Sequence, residues 1–169
     1  AIEILLLCRG VRDWRDVEAL AALDTPKARS LLRDTLLHGD AEFAAAVTRY
    51  APGLVEDEEK TRTLVRALEE TDFYGGLTQA LMQVETHHPP AVIDALLRGV
   101  LRRTGGAQVH FAAMLLFLHG KASVAFDWEV RPYVLQFKTS DRRQREALFR
   151  DLCGRIGVDP EPYLPRNQG

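Results

Sequence analysis

Apolar side chains recur along most of this chain at helical spacing, in short segments that open and close with helix-start and helix-stop chemistry. Thr25-Pro26 reads as an N-cap followed by proline at the first helical position, where its missing N–H costs nothing. The helix it opens carries Ala28, Leu31, Leu32, Thr35 and Leu36 at i, i+3, i+4, i+7 and i+8, and it stops at His38-Gly39. Asp40 then caps a second helix through Phe43, Ala44, Val47 and Tyr50, which ends before Pro52-Gly53. Two helices joined by so tight a turn predict an antiparallel hairpin.

The hairpin pattern comes round again. Leu31-Leu32-Arg33 is matched by Leu64-Val65-Arg66, 33 residues on, and by Leu96-Leu97-Arg98, 32 further. Each triplet sits in the first helix of a pair, over 26–38, 58–71 and 90–103. The second helices fall at 41–51, 74–87 and 107–119, and Phe43-Ala44-Ala45 is echoed by Phe111-Ala112-Ala113 after 68 residues. A period of about 30 to 50 residues with one helical hairpin per repeat is the signature of an α-solenoid, because one hairpin cannot bury its own apolar stripe and stacking supplies the core. On these triplets and small-residue second helices the chain resembles the HEAT-like helical repeats, over about residues 12–121. The tetratricopeptide pattern fits less well, since its Trp, Gly and Tyr positions are not filled, and the ankyrin Thr-Pro-Leu-His core is missing. The resemblance implies an all-α fold, a short right-handed solenoid of stacked hairpins whose concave face is lined by the second helices.

The rhythm breaks over residues 120–139. Phe126, Trp128 and Tyr133 fall there among turn residues, and Pro132 would interrupt any helix passing through, so a loop or short helical turns are expected. Ser140 is read as the cap of a last helix at 141–155, with Leu148, Leu152, Cys153 and Ile156 on one face, closing the end of the stack. Pro160, Pro162 and Pro165 predict an extended tail. The organisation expected is one domain, with hairpin repeats over 1–121, a connector at 122–139, a C-terminal capping helix at 140–158 and a tail at 159–169. The opening run from Ala1 to Cys8 lacks a basic leader and contains Glu3, so it is read as a buried helix rather than a signal peptide. As the run begins without Met, the chain is read as a processed product or a piece of a longer protein. The apolar stretch Phe111 to Leu118 is far shorter than the roughly 20 residues of a membrane span.

Composition narrows the class. Leu and Ala make up 44 of 169 residues, against 12 Gly and 8 Pro, which excludes disordered, collagen-like and disulfide-stapled chains. The net charge of −2 hides an asymmetry: residues 1–101 carry 11 basic and 17 acidic groups, and residues 102–155 carry 10 and 5. A polarised surface of this kind suits a partner, while the near-neutral total argues against a dedicated nucleic-acid binder. Arginine outnumbers lysine 18 to 4, which fits either bidentate recognition of oxyanions or the codon bias of a GC-rich genome. Cys8 and Cys153 have neither CxxC nor Cys/His spacing, and are read as reduced core residues of a cytoplasmic protein.

No catalytic signature is present. The five histidines form no HExxH, i, i+4 pair or His-Glu repeat, so no metal is expected, and His38 and His119 precede glycines at helix ends, where the negative end of the dipole explains them. Gly75-Gly76 and Gly105-Gly106 lack the flanks of a phosphate loop, there is no Gly-x-Ser-x-Gly elbow, and no cofactor is expected. The run Glu56 to Glu59 stands at a helix start, where carboxylates are stabilised. Arg142, Arg143 and Arg145 fit either a phosphate grip or an ordinary charged face interleaved with Asp141, Glu146 and Asp151.

The candidate binding residues are Phe126, Asp127, Trp128, Arg131 and Tyr133, with Arg102, Arg103, Arg142 and Arg143 as a basic patch. Tryptophan, tyrosine and arginine dominate interface hot spots, and local rule-breaking inside a consistent fold is enriched in function. The competing reading is a plug: Phe126 and Trp128 bury against the last repeat, Asp127 caps a helical turn, and Arg131 pairs with Glu129 or Asp127. The function expected is a non-enzymatic protein-interaction module of HEAT-like type, such as a bacterial immunity or inhibitor protein bound to a toxin, or a regulatory domain of a larger chain. The alternative is a nucleic-acid binder, since some HEAT-like proteins are DNA glycosylases for alkylated bases; no residue here matches that family's motif.

Overall fold

A computed structural model describes residues 2–72 and 76–165. Among the described residues there are ten α-helices and no strand, so the chain is all-α. They are α1 (Ile2–Arg9), α2 (Trp14–Leu23), α3 (Pro26–His38), α4 (Ala41–Tyr50), α5 (Asp57–Glu70), α6 (Thr78–Val84), α7 (Pro90–Arg102), α8 (Ala107–Leu118), α9 (Arg131–Val134) and α10 (Arg142–Ile156). Residues 74 and 75, the expected start of the helix before α7, lie outside the described residues, as does the end of the tail. No described helix is long and apolar enough to cross a membrane.

Local chemistry fixes the ends. Thr25 caps α3 by accepting from the Ala28 amide at 3.2 Å, with Pro26 opening the helix as expected. The α5 start is a capping box between Glu56 and Glu59, which accounts for the acidic run. Two expected caps differ. Asp40 holds the cap position of α4 but makes no side-chain cap bond. Asp141, not Ser140, caps α10, because its carboxylate accepts from the amides of Arg143 and Gln144.

The chain divides into two compact units after Val92, in the first turn of α7. In the first unit α4 is central and packs against α2, α3, α5 and α6. Its buried run Ala44, Ala45, Ala46 and Val47 explains how: small side chains on every face let four neighbours approach one helix. Leu6, Val17, Leu20, Ala28, Leu32 and Leu36 complete that core. The buried Gln83 amide donates to the Ala45 carbonyl at 2.9 Å, and its oxygen lies 2.9 Å from the Thr48 hydroxyl, so the polar groups in this core are partnered. Arg33 donates to the Leu54 carbonyl at 2.8 Å and to both carboxylate oxygens of Glu59 at 2.9 Å, tying α3 to α5.

The opening run is helical from residue 2, but its described side chains from Ile4 on are not mostly buried. Among them only Leu6 is buried; Ile4 is 67% exposed, and Leu5 and Cys8 also face solvent. A single helix resting on α2 and α3 can bury one face, and its other apolar face stays in water.

In the second unit α8 is buried on nearly all sides, and it packs against α9, the 3-10 turn Leu135–Lys138 and α10. Gly99 of α7 lies against the buried ring of Phe111, where a Cβ would come within 2.3 Å of a ring carbon. Phe149, Leu152, Cys153 and Ile156 form the inner face of α10, so Cys153, unlike Cys8, is a core residue. The expected extended tail instead turns back. The Tyr163 amide donates to the Pro160 carbonyl at 3.1 Å, the Tyr163 ring meets Phe149 edge-on at 5.9 Å, and Leu164 is buried. Burying Tyr163 and Leu164 outweighs the preference of the prolines for extended chain.

Candidate functional site

Residues 120–138 form the expected short turns, and they hold an exposed aromatic in a defined position. Asp127 organises the segment. Its carboxylate accepts from the Ser123 hydroxyl at 2.6 Å, the Ser123 amide at 3.1 Å and the Glu129 amide at 3.0 Å. The Ser123 hydroxyl, followed by these amides, holds Asp127 below the usual carboxylate range, so it is ionised in neutral solution. Trp128, next along the chain, is 76% exposed. Arg131, at the start of α9, stacks over its ring at 4.3 Å rather than pairing with Glu129 or Asp127.

The neighbouring aromatics do different work. Phe126 is half exposed and meets the His110 ring edge-on at 4.6 Å, and Ala125 beside it is buried. Burial lowers the pKa of His110, keeping the imidazole neutral under this contact. Tyr133 belongs to the interior: it packs edge-on against Phe137 at 5.8 Å with Arg155 over its face at 4.2 Å, and burial pushes its phenol well above the ordinary value. Ala125, the inner side of Phe126 and Tyr133 thus anchor the segment, while Trp128 projects from it.

A second feature of the same unit is a cleft of about 470 Å³ between the end of α7, the start of α10 and the folded-back tail. Arg102, Arg142 and Arg145 line it, with Glu146 as the one acid; Leu101, Pro162, Tyr163, Leu164 and Pro165 give it an apolar wall. Arg142 donates to Glu146 at 2.8 Å. Arg145 donates to the carbonyls of Leu101 and Arg103 at 3.2 and 3.4 Å, at the C-terminus of α7, and to that of Thr139, before α10, at 2.7 Å. Of the four arginines expected to form a basic patch, Arg102 and Arg142 come together here. Arg103 contributes its backbone carbonyl, and Arg143 lies exposed in the first turn of α10, outside the cleft lining. Arg145 takes the more internal role, signalled in the sequence only by its i, i+3 spacing from Arg142. Pro162, Tyr163 and Leu164 carried no sequence signal, since their place depends on the tail folding back.

Three histidines make hydrogen-bond contacts within the fold. His119 Nδ1 lies 2.8 Å from the Leu115 carbonyl, His88 Nδ1 lies 2.9 Å from the Val84 carbonyl, and His87 Nε2 meets the Thr61 hydroxyl at 2.9 Å. Among the described residues no group of three or more His, Cys, Asp and Glu side chains could hold a metal ion. No family model, curated protein or solved structure matches the chain.

Proposed function

We propose that this chain is a non-enzymatic protein-interaction module, a HEAT-like stack of helical hairpins that engages a partner protein through the segment carrying Trp128. The observation that carries the reading is an exposed tryptophan held in one position, with the Asp127 hydrogen bonds behind it and the Arg131 guanidinium over its ring. Tryptophan and arginine contribute most to interface energies, and a side chain already ordered before binding loses less entropy on association. The repeat reading is supported by the sequence period and by α4, which packs against both the helices preceding it and those following it in the first unit. An immunity or inhibitor protein, or a regulatory domain of a larger chain, fits such a module.

Nucleic-acid binding is less well supported by the basic stretch. Arg98 and Arg155 each face an acid one helical turn away, Asp94 and Asp151. Pairing of this kind weakens the pull on phosphates. Affinity capture with the purified chain and its Trp128→Ala variant, from extracts of the source organism, tests the proposal. A partner retained by the parent chain and lost by the variant is the expected result; equal capture by both, or no partner for either, rejects it.

A further inference from the structure

The cleft beside α10 is not explained by protein docking through Trp128, and its lining has the character of a small-molecule site. Its volume of about 470 Å³ lies within the roughly 300–1,000 Å³ of ligand pockets. Three arginines and one glutamate line it, so positive charge is in excess. The arginines are not equivalent. Arg145 is fixed, its terminal nitrogens bonded to three carbonyls, and its Nε–H is buried with no acceptor among the described residues. Arg142 is oriented by Glu146 through Nε, which leaves its terminal nitrogens as donors. Arg102, exposed in the last turn of α7, brings a further guanidinium to the same space. Leu101, Pro162, Tyr163, Leu164 and Pro165 line the same space, together with Ser140, and their apolar surface has little to offer a hydrated inorganic ion.

We infer that this cleft binds a small organic oxyanion, its carboxylate or phosphate gripped by Arg102 and Arg142 and its apolar body lying against Tyr163 and Leu164. Guanidinium forks match both oxyanions bidentately, and a charged head on an apolar body fits a cleft lined by arginines together with apolar side chains. A carboxylic acid and a phosphate ester share this chemistry, and the choice of probes separates them.

The test is a titration of the full chain with benzoate, phenyl phosphate, inorganic phosphate and benzyl alcohol at constant ionic strength, read by calorimetry and by melting temperature. Saturable binding of benzoate assigns a carboxylic acid and of phenyl phosphate a phosphate ester; either supports the site. Arg102→Gln should weaken that binding by about tenfold or more, the loss expected of a hydrogen bond to a charged group. Arg150→Gln, an exposed arginine of α10 outside the cleft, should leave it unchanged. Since Arg102 is exposed, both variants should melt as the parent chain does in the absence of probe. The inference is overturned if neither organic anion binds saturably, if inorganic phosphate or benzyl alcohol binds as well as the organic anions, or if Arg102→Gln binds like the parent chain.

Discussion

Glu59 shows how one carboxylate can join two helices and make stability depend on pH. The Arg33 guanidinium bonds both its oxygens, the Glu56 amide adds a third donor, and together they bring its pKa down from the ordinary 4.5 to about 2. A carboxyl whose pKa is lower in the folded chain stabilises the fold fully above the unfolded value, and that contribution is lost as pH falls from 4.5 toward 2. Urea melts across that window should therefore show Glu59→Gln less stable than the parent chain at pH 6, with the gap closing in acid; a gap that is constant with pH would contradict this. Trp128 is the opposite kind of residue, with its ring mostly in water. Trp128→Ala should change stability by less than about 0.5 kcal/mol, and a larger loss in a thermal melt would favour the plug reading for this side chain. The residue types of the candidate segment were legible in the sequence; exposure was not. Phe126, Trp128 and Tyr133 look alike as a cluster of aromatics, and only the packing of α8, α9 and α10 separates the anchor Tyr133 from the projecting Trp128.

At the scale of elements, close approach and helix-end chemistry decide stability. Gly99 meets Phe111 face to side, with no room for a methyl group. Gly99→Ala gains about 1 kcal/mol of helix propensity, but overpacking a core costs about 1–3 kcal/mol, so the net expectation is a lower melting temperature; a higher one would show that the contact relaxes freely. Arg145 closes the other end of α7 through the carbonyls of Leu101 and Arg103 and ties it to the Thr139 carbonyl before α10. Arg145→Met, which keeps the aliphatic stem, should cost about 1–3 kcal/mol in urea unfolding, and an unchanged midpoint would show that water replaces the guanidinium at no loss. Helix positions were legible where punctuation is explicit, as at Thr25-Pro26, and shifted where two capping residues stand side by side, as at Ser140 and Asp141. The recurring triplets mark the first helices but not equivalent faces. In the first triplet Leu32 is the buried member, in the second Leu64, and in the third both Leu96 and Leu97. A repeated word therefore locates an amphipathic helix without fixing which neighbour its face will meet.

At the scale of the whole molecule, the division after Val92 falls inside a helix, two residues past the Pro89-Pro90 pair, which in the sequence reads as a helix start and not as a boundary between units. Local periodicity reports which side of a helix is apolar, whereas the grouping of helices depends on contacts between distant residues. The same reasoning explains why the cleft was only half visible: the basic stretch after residue 101 indicated arginines, and the folded-back tail that makes them one side of a cavity is a long-range event. The central claim is that a partner protein docks on the segment held by Asp127. Its most direct test keeps Trp128 and places a photoreactive phenylalanine analogue at the exposed Glu129 beside it, illuminates the chain in extract of the source organism, and compares it with the same substitution at Leu37, an exposed apolar residue of the first unit. The account predicts one discrete crosslinked protein from position 129 that is not obtained from position 37. No adduct at 129, or the same adducts from both positions, would contradict it.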